Sequence, residues 1–182
     1  MSRVFLDLAL SLDGFMAAPG GADGGLHDWY FAPDAAEDIK AELLSRIGAI
    51  ILGRAAFGTA PDGFDTEYHV PHFILTHTPR PSVHRGGASF HFVTGGVHDA
   101  LTQACAAAGD RDVCVAGGAD VARQFLAADL LDEMQLHVAP VLLGGGLRLF
   151  TDAPPTRLKH LRTVQSAHAT HVTYRLRTPP QA

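Results

Sequence analysis

Basic residues are few: 14 lysines and arginines stand against 19 aspartates and glutamates in 182 residues, and no stretch gathers them. A net charge of −5 with no basic cluster excludes nucleic acid or an anionic membrane surface as the main partner, because both require a positive footprint. Cysteine is nearly absent. Cys105 and Cys114 cannot staple a disulfide scaffold and have no zinc-finger spacing, so they read as small core residues in a reduced compartment. No apolar run approaches the roughly 18 residues of a membrane span. The segment Met1–Leu12 lacks the joint basic, apolar and cleavage regions of a secretory signal. A cytoplasmic protein with a small-molecule ligand is expected, with no membrane and no nucleic acid as partner.

Several chemical signatures are missing too. There is no G-x-G-x-x-G and no G-x-x-x-x-G-K-[ST], so neither the usual dinucleotide fold nor a P-loop is supported. Without G-x-S-x-G a serine hydrolase is disfavoured. The eleven histidines include His69-x-x-His72 and His168-x-x-His171, but Pro71 disfavours a helix at the first pair and the second lies near a strand turn. No set of three or four ligands can be assembled. No metal is expected, and the histidines read as dispersed surface imidazoles.

What the chain does have is an apolar fraction of 47% against 18% charged, the balance of a folded domain and not of a disordered one. Its length fits one domain, read as residues 1–182 with a core at about 2–177. Val4–Leu10 is a first strand. Ser11–Pro33, with five glycines, reads as one long, mobile functional loop. Asp34–Arg46 is a helix with Asp34 as N-cap and Ile39, Leu43, Leu44 and Ile47 on one face. Ala49–Leu52 reads as a strand covered on both sides, with further strands at His72–Thr76, Ser89–Thr94 and Val113–Ala116 and helices at Val97–Ala108 and Ala119–Ala127. Later, Met134, Leu136 and Val138 alternate with Gln135 and His137. Val172, Tyr174 and Leu176 alternate with His171, Thr173, Arg175 and Arg177. That is the period of half-exposed strands, expected to pair antiparallel. A mixed, mostly parallel α/β sheet with an antiparallel C-terminal edge follows.

Ligands of such sheets gather at the carboxyl ends of the parallel strands. Val115-Ala116-Gly117-Gly118-Ala119 runs from a buried strand through two glycines into a helix, so a ligand can approach the backbone and an anion can meet free N–H groups. A tight turn with no ligand is the plain alternative. Arg54 directly follows a buried strand at Gly53 and could grip a phosphate with its fork, or serve only as a solvated helix-start residue. Thr76, His77 and Thr78 end a third strand at the same edge.

These pieces, in the order Ser11-Leu12-Asp13-Gly14-Phe15, Leu52-Gly53-Arg54, Thr76-His77-Thr78, Gly117-Gly118-Ala119 and Pro140-Val141-Leu142-Leu143-Gly144 through Leu149-Phe150, resemble the dihydrofolate reductase-like family. Within it they resemble the branch containing the reductase domain of the riboflavin-biosynthesis deaminase-reductase, the RibD C-terminal domain, and its stand-alone bacterial relatives. The resemblance implies a three-layer α/β/α domain that binds NADPH across the strand ends. Gly53 and Arg54 would face cofactor phosphates, Thr76, His77 and Thr78 the adenosine end, and Gly117, Gly118, Ala119 and Asp120 the pyrophosphate. It also implies a cis Gly117–Gly118 peptide, an Ser11–Pro33 loop over the nicotinamide, Asp13 and Phe15 beside the substrate, and a homodimer. His77 stands where many relatives have arginine, so NADH is not excluded, and Arg80 is a near substitute. The 182 residues themselves hold no deaminase domain, so the bifunctional role is not carried over as an expectation.

Reduction of a C=N or C=O bond needs a proton as well as hydride, and a carboxyl can position or supply it. Glu37, sixteen residues before Gly53, is the first candidate and Asp13 the second; a first-turn acid and a turn former are their structural alternatives. Trp29, Phe15 and Phe31 are expected to wall the substrate. Between Arg3 and Lys40 seven acids occur and no lysine or arginine, which points to a neutral or cationic substrate. The leading expectation is thus an NAD(P)H-dependent reductase of a small heterocyclic molecule. The alternatives are a non-catalytic ligand-binding relative and a stand-alone 5-amino-6-(5-phosphoribosylamino)uracil reductase of riboflavin synthesis.

Overall fold

The computed structural model describes residues 2–58, 61–151 and 156–176. The strands are β1 (Val4–Ser11), β2 (Phe15–Ala17), β3 (Ile47–Gly53), β4 (Pro71–Leu75), β5 (Val83–Arg85), β6 (Ala88–Val93), β7 (Asp112–Val115), β8 (Glu133–Ala139), β9 (Leu147–Arg148), β10 (Lys159–Gln165) and β11 (Thr170–Arg175). The helices are α1 (Asp28–Phe31), α2 (Glu37–Arg46), α3 (Arg54–Phe57), α4 (Gly96–Ala108) and α5 (Ala119–Ala127). Nine strands form one sheet in the order β10-β11-β8-β1-β7-β3-β4-β6-β5, and β2 pairs with β9 in a small second sheet. From β8 across to β6 all neighbours run parallel. The antiparallel pairs lie at both edges, β8–β11–β10 on one side and β6–β5 on the other.

Alternation within the strands builds the three layers. Leu6 and Leu8 of β1 pack with Ala49 and Ile51 of β3 under α4 and α5, whereas Phe5 packs with Ile50 and Leu52 under Ile39 and Leu43 of α2. All seven residues of β3 are buried, as its uninterrupted apolar run requires once both faces are covered. Buried Ala100, Ala104 and Ala108 recur every four residues, giving α4 a smooth face against the sheet. Gly48 completes the fit, since a Cβ there would lie 2.7 Å from the Ala108 carbonyl oxygen.

Four expectations are corrected. The helix begins at Glu37 with Ala36 as its cap and no capping side chain; Asp34 instead accepts from His168 Nε2 at 2.6 Å. The Ser11–Pro33 segment contains β2, a 3-10 turn at Pro19–Gly21 and α1, and the buried Leu26 and Trp29 fasten it to the body of the protein. Strand β8 is not half-exposed: Glu133, Gln135 and His137 are buried, because β8 lies inside the sheet between β1 and β11 and its second face is covered as well. The histidines are not all on the surface, since His72, His137 and His171 are buried. Arg177, counted in the last alternating run, lies outside the described residues.

Candidate functional site

A cleft of about 950 Å³ opens on the α2 side of the sheet. Its floor is Asp7, Leu8 and Ala9 of β1 with Ile50 and Leu52 of β3, and it extends to Ala116, the residue before the glycine pair. One wall is α1, with Trp29, Tyr30 and Phe31; the facing wall is the segment Phe64–Tyr68. Trp29 is 4% exposed and Phe31 78% exposed, so α1 turns one aromatic inward and leaves another at the rim. The indole Nε1 of Trp29 is buried and has no hydrogen-bond partner among the described residues. A buried N–H without a partner costs about 1–3 kcal/mol.

The carboxylate on the cleft floor is Asp7. Its Oδ1 lies 3.0 Å from His137 Nε2, His137 Nδ1 lies 2.6 Å from His171 Nδ1, and His171 Nε2 reaches Ser166 Oγ at 2.9 Å. Trp29 stacks on the His137 ring with centroids 3.7 Å apart. The backbone explains the juxtaposition: His137 and His171 are directly paired across β8 and β11, and β1 is the other neighbour of β8. Burial first, and then the neighbouring His137, depress the His171 pKa to about 4, which favours a neutral ring. His72 also lines the cleft and is depressed to about 4 by burial; its Nδ1–H donates to the Val70 carbonyl at 2.8 Å.

Charge in the cleft is mostly negative. Asp7, Asp65 and Glu67 line it against a single ammonium, Lys40. Asp65 is held by two guanidinium nitrogens of Arg85, Nε and Nη2, each at 2.8 Å, and Lys40 pairs with Glu37 at 3.1 Å. The Tyr30 hydroxyl donates to Glu67 at 2.8 Å; burial, followed by that bond, pushes its pKa up to about 12. Burial raises Tyr68 further, so both phenols remain donors.

The strand-end rim adjoins the cleft at Leu52 and Ala116. Gly53 N–H donates to the Gly117 carbonyl at 2.8 Å, Gly53 is paired with Leu75, and the Gly117–Gly118 peptide is cis. A Cβ at Gly53 would lie 2.9 Å from Val121 Cγ2, whereas one at Gly118 would meet nothing within 4 Å. Gly53 therefore permits the close approach of β3 to α5, while Gly118 faces open space. Helix α5 begins there with no side-chain cap. Arg54 and His77 are exposed, and Thr78 N–H donates to Thr76 Oγ1 at 3.2 Å. Ala119 is buried, and Asp120 is exposed and paired with Arg123. Arg80 is engaged elsewhere: it donates to the Pro61 carbonyl at 2.6 Å and lies 4.4 Å over the Phe92 ring.

The structure does not bring every candidate to the cleft. Glu37 is 76% exposed, because two residues along a helix turn a side chain through about 200° and Ile39 points into the core. Asp13 accepts from the Ser11 hydroxyl at 2.6 Å and from the N–H groups of Leu143 and Gly144 at 3.1 and 2.7 Å. Chiefly the Ser11 bond, with those N–H groups, holds its pKa at about 2; the carboxylate ties the β1–β2 turn to the chain after β8. Phe15 is buried under the Arg148 guanidinium, 4.2 Å away. Neither Asp13 nor Phe15 is among the cleft residues. Asp7, His137 and His171 were not among the candidates, although one acid inside the apolar run Val4–Leu10 is a signal, since an unpaired charge is rarely buried.

Comparison with known proteins is consistent with this geometry. The family model of the RibD C-terminal domain matches residues 2–173. The riboflavin biosynthesis protein RibD of Corynebacterium ammoniagenes is 28% identical over 171 residues, covering 86% of this chain and 48% of that protein, so the chain spans about half of that relative's length. A crystal structure of a putative riboflavin biosynthesis protein from Shewanella sp. PV-4 is 26% identical and superposes with a TM-score of 0.75 over 97% of this chain and 99% of that one. Dihydrofolate reductase from Enterococcus faecalis, complexed with NADP(H) and RAB-propyl, is similar in fold, with a TM-score of 0.62 over 95% of each chain at 17% identity.

Proposed function

The chain belongs to the RibD C-terminal domain family, and from that premise we propose that it is an NAD(P)H-dependent reductase that adds hydride to a C=N or C=O bond of a small, uncharged or cationic heterocycle. The observation that carries the reading is the continuity of one cleft from Ala116, beside the glycine rim, to the half-buried Asp7 and its buried partner His137. The similar reductase that binds NADP(H) supports it.

The nucleotide supplies hydride when bound. The open space at Gly118, the uncapped start of α5 and the exposed Arg54 suit its phosphates. On this reading Gly53, Gly117, Ala119 and Asp120 shape the pyrophosphate site, and Thr76, His77 and Thr78 lie toward the adenosine. Stacking on Tyr30 and Phe31 would orient a flat heterocycle over Asp7. Asp7 then delivers a proton to the substrate nitrogen or oxygen. Uncompensated Asp7 and Glu67 against the single paired Lys40 disfavour a phosphorylated substrate, because a phosphate would find no guanidinium fork among the cleft residues. The decisive experiment is calorimetric titration with NADPH and NADH, followed by nucleotide oxidation assays with neutral pterins, cyclic imines and a phosphoribosylated pyrimidine. Binding of neither nucleotide sinks the proposal, and preference for the phosphorylated substrate sinks its charge argument.

A further inference from the structure

Strand β4 brings His72 to the cleft with a polarity that its backbone neighbour fixes. Its Nδ1 lies 2.8 Å from the Val70 carbonyl oxygen. A carbonyl only accepts, so Nδ1 carries the proton and the neutral ring keeps a bare acceptor at Nε2. The ring packs between Phe90, with centroids 4.9 Å apart, and Phe64 at 5.9 Å, neither of which can donate. Nε2 has no partner among the described residues, yet it is not sealed as Trp29 Nε1 is. The 2% of His72 that is exposed therefore includes this atom, on the side that lines the cleft. Two donors of the cleft are engaged elsewhere, the Tyr30 hydroxyl with Glu67 and the Lys40 ammonium with Glu37. A ligand that reaches Nε2 shields it from water and must supply a donor in its place, since an acceptor left unpaired in a closed site costs affinity.

The sheet sets His72 well apart from Asp7. Strands β1, β7, β3 and β4 are consecutive neighbours, so the two residues stand three strand spacings, about 14 Å, from each other. The register Leu6–Val115–Ile51–Phe73 also places His72 two residues nearer the strand starts than the point level with Asp7. We propose that His72 is a specificity-determining residue: its Nε2 accepts a hydrogen bond from a neutral N–H at the end of the ligand remote from Asp7, so the cleft selects an elongated heterocycle that carries a primary amide or an aromatic amine there. Taking that ligand as the substrate, with its reducible bond at Asp7, rests on the reductase reading above; the hydrogen bond to His72 does not. A carbonyl, ether or ester oxygen at the same place would set acceptor against acceptor. A neutral donor suits this end better than an ammonium, because the flanking phenylalanines give a full charge no compensation and burial already depresses the pKa of the imidazole to about 4. Cationic groups belong instead with the carboxylates Asp7 and Glu67.

The test is nitrogen-15 NMR of the full chain labelled at histidine, at neutral pH, with and without NADPH. The probes are 3,4-dihydroisoquinoline-6-carboxamide and methyl 3,4-dihydroisoquinoline-6-carboxylate, two cyclic imines of matched shape of which only the amide has an N–H to give. In the free protein His72 should be protonated on Nδ1 and bare on Nε2. The amide should shift the Nε2 resonance in the direction of an accepted hydrogen bond and should bind about tenfold more tightly than the ester, the worth of one such bond. His72→Phe, which keeps a flat ring without an acceptor, should bring the two probes to equal affinity. A wild-type His72 protonated on Nε2, an Nε2 resonance that the amide does not move, or equal wild-type affinity for amide and ester overturns the proposal, and none of these readings needs a variant to fold. In turnover the preference should appear in KM for the imine and not in kcat, because His72 lies far from the reacting bond. Absence of any nucleotide oxidation, with the amide still shifting Nε2, would overturn the reductase reading and leave the His72 contact in place.

Discussion

Strand β8 carries two polar clusters on one face, four residues apart, and they differ in kind. At its start, Glu133 is clamped by Arg3 at 2.9 Å and Arg46 at 2.8 Å, and Arg46 also binds Asp112 at 2.7 Å while lying over the Phe5 ring. Further along, His137 faces Asp7 and His171, and neither a lysine nor an arginine bonds to that chain among the described residues. The first cluster joins the starts of β1, β7 and β8 with opposite charges already matched. Burial works against the Arg46 charge, yet the bonds to Asp112 and Glu133 prevail and raise its pKa. The second cluster has a carboxylate but no fixed cation, so its charge depends on a proton. A buried group that can change charge is suited to chemistry, and one that cannot is suited to holding strands together.

The contrast is tested first by Asp7→Asn. The amide keeps a polar side chain against His137 Nε2 but has no proton to deliver, so kcat should fall about 10²–10⁴-fold with nucleotide affinity retained; a kcat within a few-fold of wild type would remove Asp7 from the chemistry. Arg46→Ala should do the opposite. It leaves Glu133 with Arg3 alone and takes the guanidinium from Asp112, so the loss should stay below the about 3–5 kcal/mol of a fully unpaired buried ion, visible as a lower urea midpoint, while the folded fraction should still bind nucleotide. Acid should strike the histidines selectively. With pKa values near 4 in the fold for His72 and His171 and about 6.5 in the unfolded chain, the unfolded state binds more protons between those limits. Their stabilisation is complete above about pH 6.5 and is lost as pH falls toward about 4. Thermal midpoints measured across that window should decline, and His72→Gln should flatten the decline.

Much of the sheet was legible because its inner strands and helices are long and strongly patterned: α5 has the expected bounds, and β3, β4, β6 and β7 lie within a residue or two of theirs. The edges were not. Strand β10 is mostly exposed, with Lys159, His160 and Arg162 along it, and β5 has only three residues, so neither buries enough to leave a period. Alternation in β8 identified its two faces but could not tell that both are covered, since that depends on β11 and α1 arriving from distant parts of the chain. The glycine rim was readable because backbone approach selects glycine locally. The Asp7–His137–His171 chain joins residues 34 and 130 positions apart, and no local pattern encodes such a meeting.

Two smaller effects separate the rim from the helix surface. Arg54→Ala should raise KM for NADPH about tenfold, the loss of one charge-assisted contact, with kcat unchanged, because Arg54 follows β3 at the rim and does not line the cleft. Glu37→Gln should do least. Its partner Lys40 is three residues away on the same helix, and exposed pairs of this kind contribute about 0.3–0.5 kcal/mol. Lys40 is itself largely buried against the cleft, 4.8 Å over the Tyr30 ring, so losing Glu37 should leave the ammonium in place. Both kcat and the urea midpoint should therefore stay close to wild type. If instead Glu37→Gln lowered kcat as far as Asp7→Asn, the proton would come from the helix and not from the strand, and β8 would have no catalytic cluster to set against its structural one.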